Sequence, residues 1–382
     1  MPRQQPHRKL AFAASLGHGS RGGCGAARAW VSAWVVGSAA EEHTLMHPRF
    51  LSLLRCPRTG EAFTLEATTT DPRGGVQEGR LRTAGGVVYP ILRGVPRFVE
   101  QESYSGSFGY EWSRWPRVQF DSENEGGALA GHTTQMWERI VLAPDEAIRG
   151  RVLVEFGCGP GRFLDVVRRK GGIAVGIDMS VAVEAAARNF AADPDVLIVQ
   201  GDITCPPFAP GAFDGGFTIG VLHHTPSPAR GLKALVQSVK PGGWVACAVY
   251  RKGGFYDLPS VHRFRARHLA LRRVFGNRLA LAYSYLSAYI LYPAHVLLHR
   301  ARLGRLAEYI YRNWAVIVEH PDARWRALDT FDAITPEIAT CHTGEEVRAW
   351  FEAAGCRALR ASPWSVTTWV ATVPPAPDVG SD

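Results

Sequence analysis

No C-x-x-C pair occurs anywhere in this chain. Its seven cysteines, at positions 24, 56, 158, 205, 247, 341 and 356, are scattered. That argues against a zinc site and against a secreted disulfide framework, and no metal is expected. A reduced, cytoplasmic chain is the simplest reading. No recognised nucleic-acid motif accompanies the net charge of +8, so nucleic acid is not an expected partner. The charge-free stretch Leu279 to Leu298 has the minimum length of a bilayer span, but Tyr, Ser, His and Pro293 dilute it. Its 46% hydrophobic and 20% charged residues, over 382 positions, allow a sizeable core and two or three units.

The most informative stretch is Arg151 to Gly161, RVLVEFGCGPG. An apolar run ends in Glu155, glycines follow at 157, 159 and 161, and a helix-like run starts at Arg162. A strand, a tight glycine turn and a helix start present backbone N–H groups to a ligand at the carboxyl end of a strand. The spacing G-x-G-x-G is not the dinucleotide spacing G-x-G-x-x-G. It fits S-adenosylmethionine better, whose ammonium a carboxylate such as Glu155 can hold. The stretch resembles motif I of class I S-adenosylmethionine-dependent methyltransferases.

That resemblance continues for about a hundred residues. Ile173 to Asp178 reads as a buried strand ending in an acid that can accept both ribose hydroxyls, with Ser180 as cap for a helix from Val181 to Phe190. Val196 to Gln200 reads as a strand leading to Asp202 and Ile203, Phe213 to Gly220 as a strand opening into His223-His224, Pro228 to Lys240 as a helix ended by Pro241-Gly242-Gly243, and Trp244 to Tyr250 as a fifth strand. The resemblance implies a Rossmann-like α/β fold: a seven-stranded, mostly parallel sheet with a terminal antiparallel hairpin, plus a small β-rich N-terminal module and a helical insertion. It implies cofactor contacts at Glu155, Gly157, Cys158, Gly159, Gly161, Asp178, Met179, Asp202, Ile203 and Gly220. His223 and His224 stand where a base would meet the acceptor, though such turns also serve purely structural ends.

Around this core the chain divides into segments. Residues 1–45 read as disorder, or as a mis-assigned start with Met46 as first residue; Leu10 to Ala14 only faintly suggests a signal peptide. Residues 46–100 read as short strands with glycine turns after a short helix near Phe50. They resemble a zinc-ribbon-derived domain that precedes some bacterial methyltransferase domains, here without metal ligands: Cys56 stands alone and Thr59 takes the place of a second cysteine. Residues 101–150 link module and core through an aromatic cluster in which Tyr110 and Trp112 either face the cofactor and substrate or staple the linker down.

From 251 to 326 the α/β rhythm stops. This segment holds 14 Lys or Arg and 4 Asp or Glu, a net of +10, so the remainder is slightly acidic. Three readings stay open: a helical lid, a surface touching membrane or a lipid-like substrate through 272–305, and a true span. The charge also suits an anionic substrate. His295 and His299 have metal-pair spacing without an evident third ligand. Residues 327–375 complete the core, with a capping box at Thr343 and Glu346, Gly355 closing that helix, and a strand pair over 356–360 and 366–373; 376–382 are a tail. By resemblance, Asp329, Asp332 and His342 lie near the substrate mouth. The expected function is methyl transfer from S-adenosylmethionine to a small or lipid-like acceptor at O, N or C. A non-catalytic scaffold or partner subunit of the same fold is the alternative, and a nicotinamide oxidoreductase is disfavoured by the glycine spacing. Oligomeric state is not readable.

Overall fold

A computed structural model describes residues 44–99, 106–191 and 193–374. Most of the expectations for 1–45 and those for the tail fall outside these residues. Thr44 and Leu45 fall inside: the Thr44 N–H donates to Ala187 O at 2.8 Å.

Two sheets organise the described chain. The first is antiparallel, with strands β1 (Phe63–Thr70), β2 (Val76–Thr83), β3 (Val88–Leu92) and β4 (Val95–Pro96) in sequence order. The short helix expected near Phe50 is a 3-10 turn, Pro48–Leu53, entered at a proline. Helices α1 (Gly106–Arg114) and α2 (His132–Val141) follow. The second sheet then begins: β5 (Val152–Phe156), α3 (Arg162–Arg169), β6 (Ile173–Asp178), α4 (Val183–Asn189), β7 (Val196–Gln200), β8 (Phe213–Ile219), α5 (Pro228–Ser238) and β9 (Val239–Ala248). Five helices interrupt it: α6 (Pro259–Phe275), α7 (Arg278–Leu286), α8 (Tyr292–Arg300), α9 (Gly304–Asn313) and α10 (Ala323–Ile334). Helix α11 (Gly344–Ala353) and strands β10 (Arg357–Ala361) and β11 (Thr368–Thr372) complete it.

The large sheet has the order β10-β11-β9-β8-β5-β6-β7. Strands β5 to β9 run parallel, and β10 and β11 add an antiparallel hairpin on β9. This is the class I methyltransferase sheet. Val154, Phe156, Val175, Ile177, Leu197 and Val199 are buried, as strands covered on both faces require.

Three expected boundaries move. The glycine pair at 242–243 does not separate helix from strand. Strand β9 starts at Val239, and a register break between Phe213↔Val239 and Gly215↔Trp244 absorbs Pro241-Gly242-Gly243 as an irregularity. Helix α4 starts two residues later than expected, because the Ser180 hydroxyl accepts the Ala182 N–H at 3.1 Å and holds a turn there. Helix α10 runs through the expected break at 326, since its buried face (Leu328, Phe331, Ile334) packs with Val261, Ala280 and Ala288 of the insertion.

The small sheet docks on edge strand β7. Phe98 N–H donates to Gln200 O at 2.8 Å, and the Arg97 guanidinium, 8% exposed, reaches Gln200 Oε1 at 3.0 Å and Glu184 Oε1 at 2.7 Å. Covering this edge removes a row of unpaired backbone groups. Breaking a buried ion pair by removing one partner costs about 3–5 kcal/mol. Arg97→Ala is therefore expected to lower urea-unfolding stability by about that amount, with Arg97→Met recovering a good part; equal stability of Arg97→Ala and the parent would contradict the docking role.

Candidate active site

From the central strand β5, the parallel strands β6 and β7 are added on one side of the sheet and β8 and β9 on the other. Where the order reverses, at the carboxyl ends of β5 and β8, the connections diverge and leave a crevice. A cavity of about 540 Å³ occupies it.

The turn after β5 is built from backbone. The N–H groups of Gly157 and Cys158 both donate to Ile177 O, at 2.7 and 3.1 Å, folding the turn over β6. Gly157 has φ +77°, and a Cβ there would overlap the Val221 side chain, so the two loops touch. The Gly159 N–H donates to Asp178 Oδ2 at 2.9 Å, and the Ser180 N–H and hydroxyl donate to Asp178 Oδ1 at 2.8 and 2.7 Å. These bonds aim the Asp178 carboxylate at the glycine turn. Glu155 is 2% exposed, and its Oε2 has no partner among the described residues. Burial pushes its carboxyl well above the usual carboxylate range, against the pull of Arg162.

Of the residues expected at the cofactor, Glu155, Gly157, Cys158, Gly159, Asp178, Met179, Ile203 and Gly220 line this cavity. Gly161 and Asp202 are not among its lining residues. Gly161, at φ +92°, gives room to the Phe190 ring, which a Cβ would overlap. Asp202 accepts the Thr204 N–H at 2.7 Å and shapes the turn that presents Ile203.

The histidine pair divides. His224 lines the cavity, and its Nδ1 lies 2.8 Å from Ile338 O. A carbonyl only accepts, so Nδ1 carries the proton and Nε2 keeps its lone pair. That Nε2 is buried without a partner among the described residues, and burial holds the imidazole below its usual range. His223 is 0% exposed and outside the lining. Its Nδ1 accepts the Tyr250 N–H at 3.2 Å, and its ring stacks on Tyr250 at 3.5 Å.

The substrate-side expectations divide as well. Helix α1 turns Phe108, Glu111 and Trp112 to the cavity, at i, i+3 and i+4, and Tyr110 away, to stack on Phe331 at 5.7 Å. Asp332 lines the cavity, while His342 lies outside it, bonded to Thr340 Oγ1 at 2.8 Å and edge-on to Trp350. The His342 N–H donates to Tyr250 O at 2.9 Å, which extends the end of β9. Glu111, Gln119, Arg162, Tyr250 and Tyr256 also line the cavity and carried no assigned role in the sequence. The signal was present for Glu111, three residues from Phe108. It was present in α10 too, where Trp325, Leu328, Asp329 and Asp332 follow i, i+3, i+4, i+7. Away from the cavity, His295 and His299 do have a third group beside them: Glu308, with the ligand atoms within 4.8 Å of one another.

Residues 154–247 match the family model for a methyltransferase domain. Fold and matched stretch together define the class: a class I methyltransferase fold. Among curated proteins, the chain is similar to the ubiquinone biosynthesis O-methyltransferase of Paracidovorax citrulli (strain AAC00-1), 33% identical over 108 residues, covering 27% of this chain and 44% of the relative. It is also similar to the enzyme of the same name from Sodalis glossinidius (strain morsitans), 32% identical over 136 residues, covering 35% and 53%. The chain thus spans about half the length, or less, of these relatives. Among solved structures, an S-adenosylmethionine dependent methyltransferase from Mesorhizobium loti superposes with a TM-score of 0.29 at 23% identity, covering 36% of this chain and 58% of that one. Human N-acetylserotonin methyltransferase in complex with SAM gives 0.38 at 12%, covering 70% and 56%. Superpositions this loose carry no argument about activity.

The His224 geometry predicts a measurable titration. The ring should be the neutral Nδ1–H tautomer at pH 7 and protonate only below its ordinary 6.5. Long-range nitrogen–proton NMR of the selectively labelled protein checks this; a His224 midpoint at or above pH 6.5 would contradict it.

Proposed function

We propose that this protein is a methyltransferase that moves the methyl group of S-adenosylmethionine to an O, N or C nucleophile on a small-molecule or lipid-like acceptor. One observation carries the reading: the Glu155 carboxylate with its unpartnered Oε2, the positive-φ glycine turn and the aimed Asp178 share one cavity at the reversal of strand order. This set suits an amino acid joined to a nucleoside. Bound there, S-adenosylmethionine supplies an electrophilic methyl on a sulfonium centre. Glu155 takes the ammonium, Asp178 the ribose hydroxyls, and Ile203 lies on the adenine beside the Asp202 turn; Cys158, Met179 and Gly220 complete the wall. Gly161 acts from outside, by letting α3 approach Phe190. The chain's task is to hold acceptor and methyl in line and to exclude water. His224 Nε2 accepts the proton that the acceptor loses, and His223 sets the orientation of Tyr250. Trp112 and Asp332 meet the acceptor; Tyr110 and His342 hold the elements that carry them.

The non-catalytic alternative predicts a closed or degraded site. An intact Glu155–Asp178 pair beside a roomy cavity is unexpected on that view. The spacing 157-159-161 disfavours a nicotinamide oxidoreductase. Calorimetry should show S-adenosylmethionine binding, weakened at least tenfold by Asp178→Ala. In extract of the source organism supplied with methyl-labelled cofactor, His224→Ala should cut label transfer about 10²–10⁴-fold while leaving cofactor affinity intact. No binding by the parent protein would refute the activity, and full label transfer by His224→Ala would refute its base.

The insertion supports a further partner, an anionic membrane surface. Twelve of the 17 exposed large apolar side chains among the described residues fall between Leu271 and Trp314, with Val274 at 76% and Leu297 at 61%. Such a concentration departs from a scatter of single exposed residues. Arg273, Arg278, Arg300, Arg302 and Arg305 lie in the same stretch. No helix among the described residues is long and apolar enough to cross a membrane. The surface therefore suits lying on a bilayer, with each basic side chain adding about 1 kcal/mol near anionic headgroups. In co-sedimentation, phosphatidylcholine vesicles with about a third phosphatidylglycerol should retain the protein, less so at high salt, and Phe275→Ser with Leu279→Ser should release it. No retention by these vesicles would reject this partner.

A further inference from the structure

Glu111 is the least satisfied group in the cavity. It is 0% exposed, lies on the wall, and neither carboxylate oxygen has a hydrogen-bond partner among the described residues. Two more carboxylates face it from α10. Tyr250 donates its hydroxyl to Asp332 Oδ2 at 2.6 Å, and Gln119 Nε2 reaches Asp329 Oδ1 at 3.5 Å, leaving the buried Gln119 Oε1 unpartnered. Tyr256 stacks flat on Tyr250, centroids 3.5 Å apart and 6° from parallel. The positive charge that Glu111 feels is Arg162, set against Asp332 and Asp329. The wall thus carries three carboxylates, Glu111, Asp329 and Asp332, against the one guanidinium of Arg162, whose charge also acts on Glu155.

A buried carboxylate without partners is stable only if a proton or a bound counter-charge neutralises it. We propose that this chamber recognises the methyl acceptor through a protonated amine, an ammonium or guanidinium that Glu111 and Asp329 hold against the ring faces of Trp112 and Tyr256. Aromatic faces attract cations. An acceptor carrying a carboxylate or phosphate at the same position meets like charge and is excluded. The inference rests on the methyl-transfer reading and names its substrate class.

The cofactor also carries an ammonium and a sulfonium, so a cation could reach Glu111 from either molecule. The places of the two glutamates in the fold separate the sources. Glu155 lies on β5 two residues before Gly157 of the glycine turn, whereas Glu111 lies on α1, across the cavity wall with Asp329 and Asp332 of α10. Burial, then Asp332, lifts Asp329 to about 7, and burial with the two aspartates lifts Glu111 well above the usual carboxylate range. The cofactor's ammonium belongs at Glu155; the second cation belongs to the acceptor.

The test uses the full chain saturated with S-adenosylhomocysteine. Matched probes are titrated by calorimetry: tyramine against 3-(4-hydroxyphenyl)propionate, and octylamine against octanoate. In at least one pair the amine should bind ten times more tightly or better, and Glu111→Gln should erase that preference with S-adenosylhomocysteine affinity unchanged within twofold. Amines that do no better than their carboxylates, including no binding by any probe, overturn the proposal. So does a preference that survives both Glu111→Gln and Asp329→Asn. Loss of S-adenosylhomocysteine binding in Glu111→Gln assigns the carboxylate to the cofactor and also overturns it. Failure of the parent protein to bind S-adenosylhomocysteine sinks the methyl-transfer reading instead, and separates the two. Thermal melting without ligand guards against misfolding: Glu111→Gln should melt no lower than the parent, because it replaces a buried carboxyl that has no partner among the described residues. A fall of more than about 5 °C would show a structural partner for Glu111 and overturn the proposal.

Discussion

The rest of the molecule depends on one topological constraint, the reversal of strand order between β5 and β8. Parallel strands need crossover connections, and connections that leave in opposite directions cannot close over the strand ends between them. The crevice that results must be lined by backbone that has no partner in the sheet. The chain answers with the turn at Gly157 and Cys158, whose N–H groups fold back onto Ile177 O, and with the bond from the Gly159 N–H to Asp178. Those bonds fix two carboxylates, Glu155 and Asp178, at the mouth of the strands. Helix α1, the segment 251–256 after β9 and helix α10 then close the sides of the same crevice.

Charge is segregated by this arrangement. The chain is basic as a whole, and 251–326 carries a net of +10. The cavity has the opposite character: Glu111, Glu155, Asp178, Asp329 and Asp332 line it against Arg162 and Arg251. A basic insertion thus helps build an acidic chamber, because the residues that α10 turns inward are Asp329 and Asp332, while most of the insertion's arginines lie on other faces. Burial makes the chamber costly without a ligand, and such cost is stored at sites that bind. The edge of the sheet is handled differently. There Arg97 finds Gln200 and Glu184, and the polar groups are satisfied within the fold.

What the sequence determined alone was everything governed by local spacing. Alternating glycines after an apolar strand, an acid ending the next strand, and a capping box at Thr343 and Glu346 each have a meaning within a few residues, and the strands, the glycine turn and helix α11 were legible for that reason. Boundaries failed where a distant partner decided them. Strand β9 swallows Pro241-Gly242-Gly243 because β8 pairs on both sides of the irregularity, and α10 crosses position 326 because the insertion packs on it. The site divided along the same line. Glu155 and Asp178 follow from their own motifs. His223 and His224 are neighbours in sequence, yet only tertiary structure sends one ring against Tyr250 and the other into the cavity beside Ile338. The chamber of Glu111, Tyr250, Tyr256, Asp329 and Asp332 joins three separate segments across more than two hundred positions. No local pattern encodes that meeting; it exists because the folded sheet leaves a single crevice into which helix α1, the end of β9 and helix α10 all turn a face.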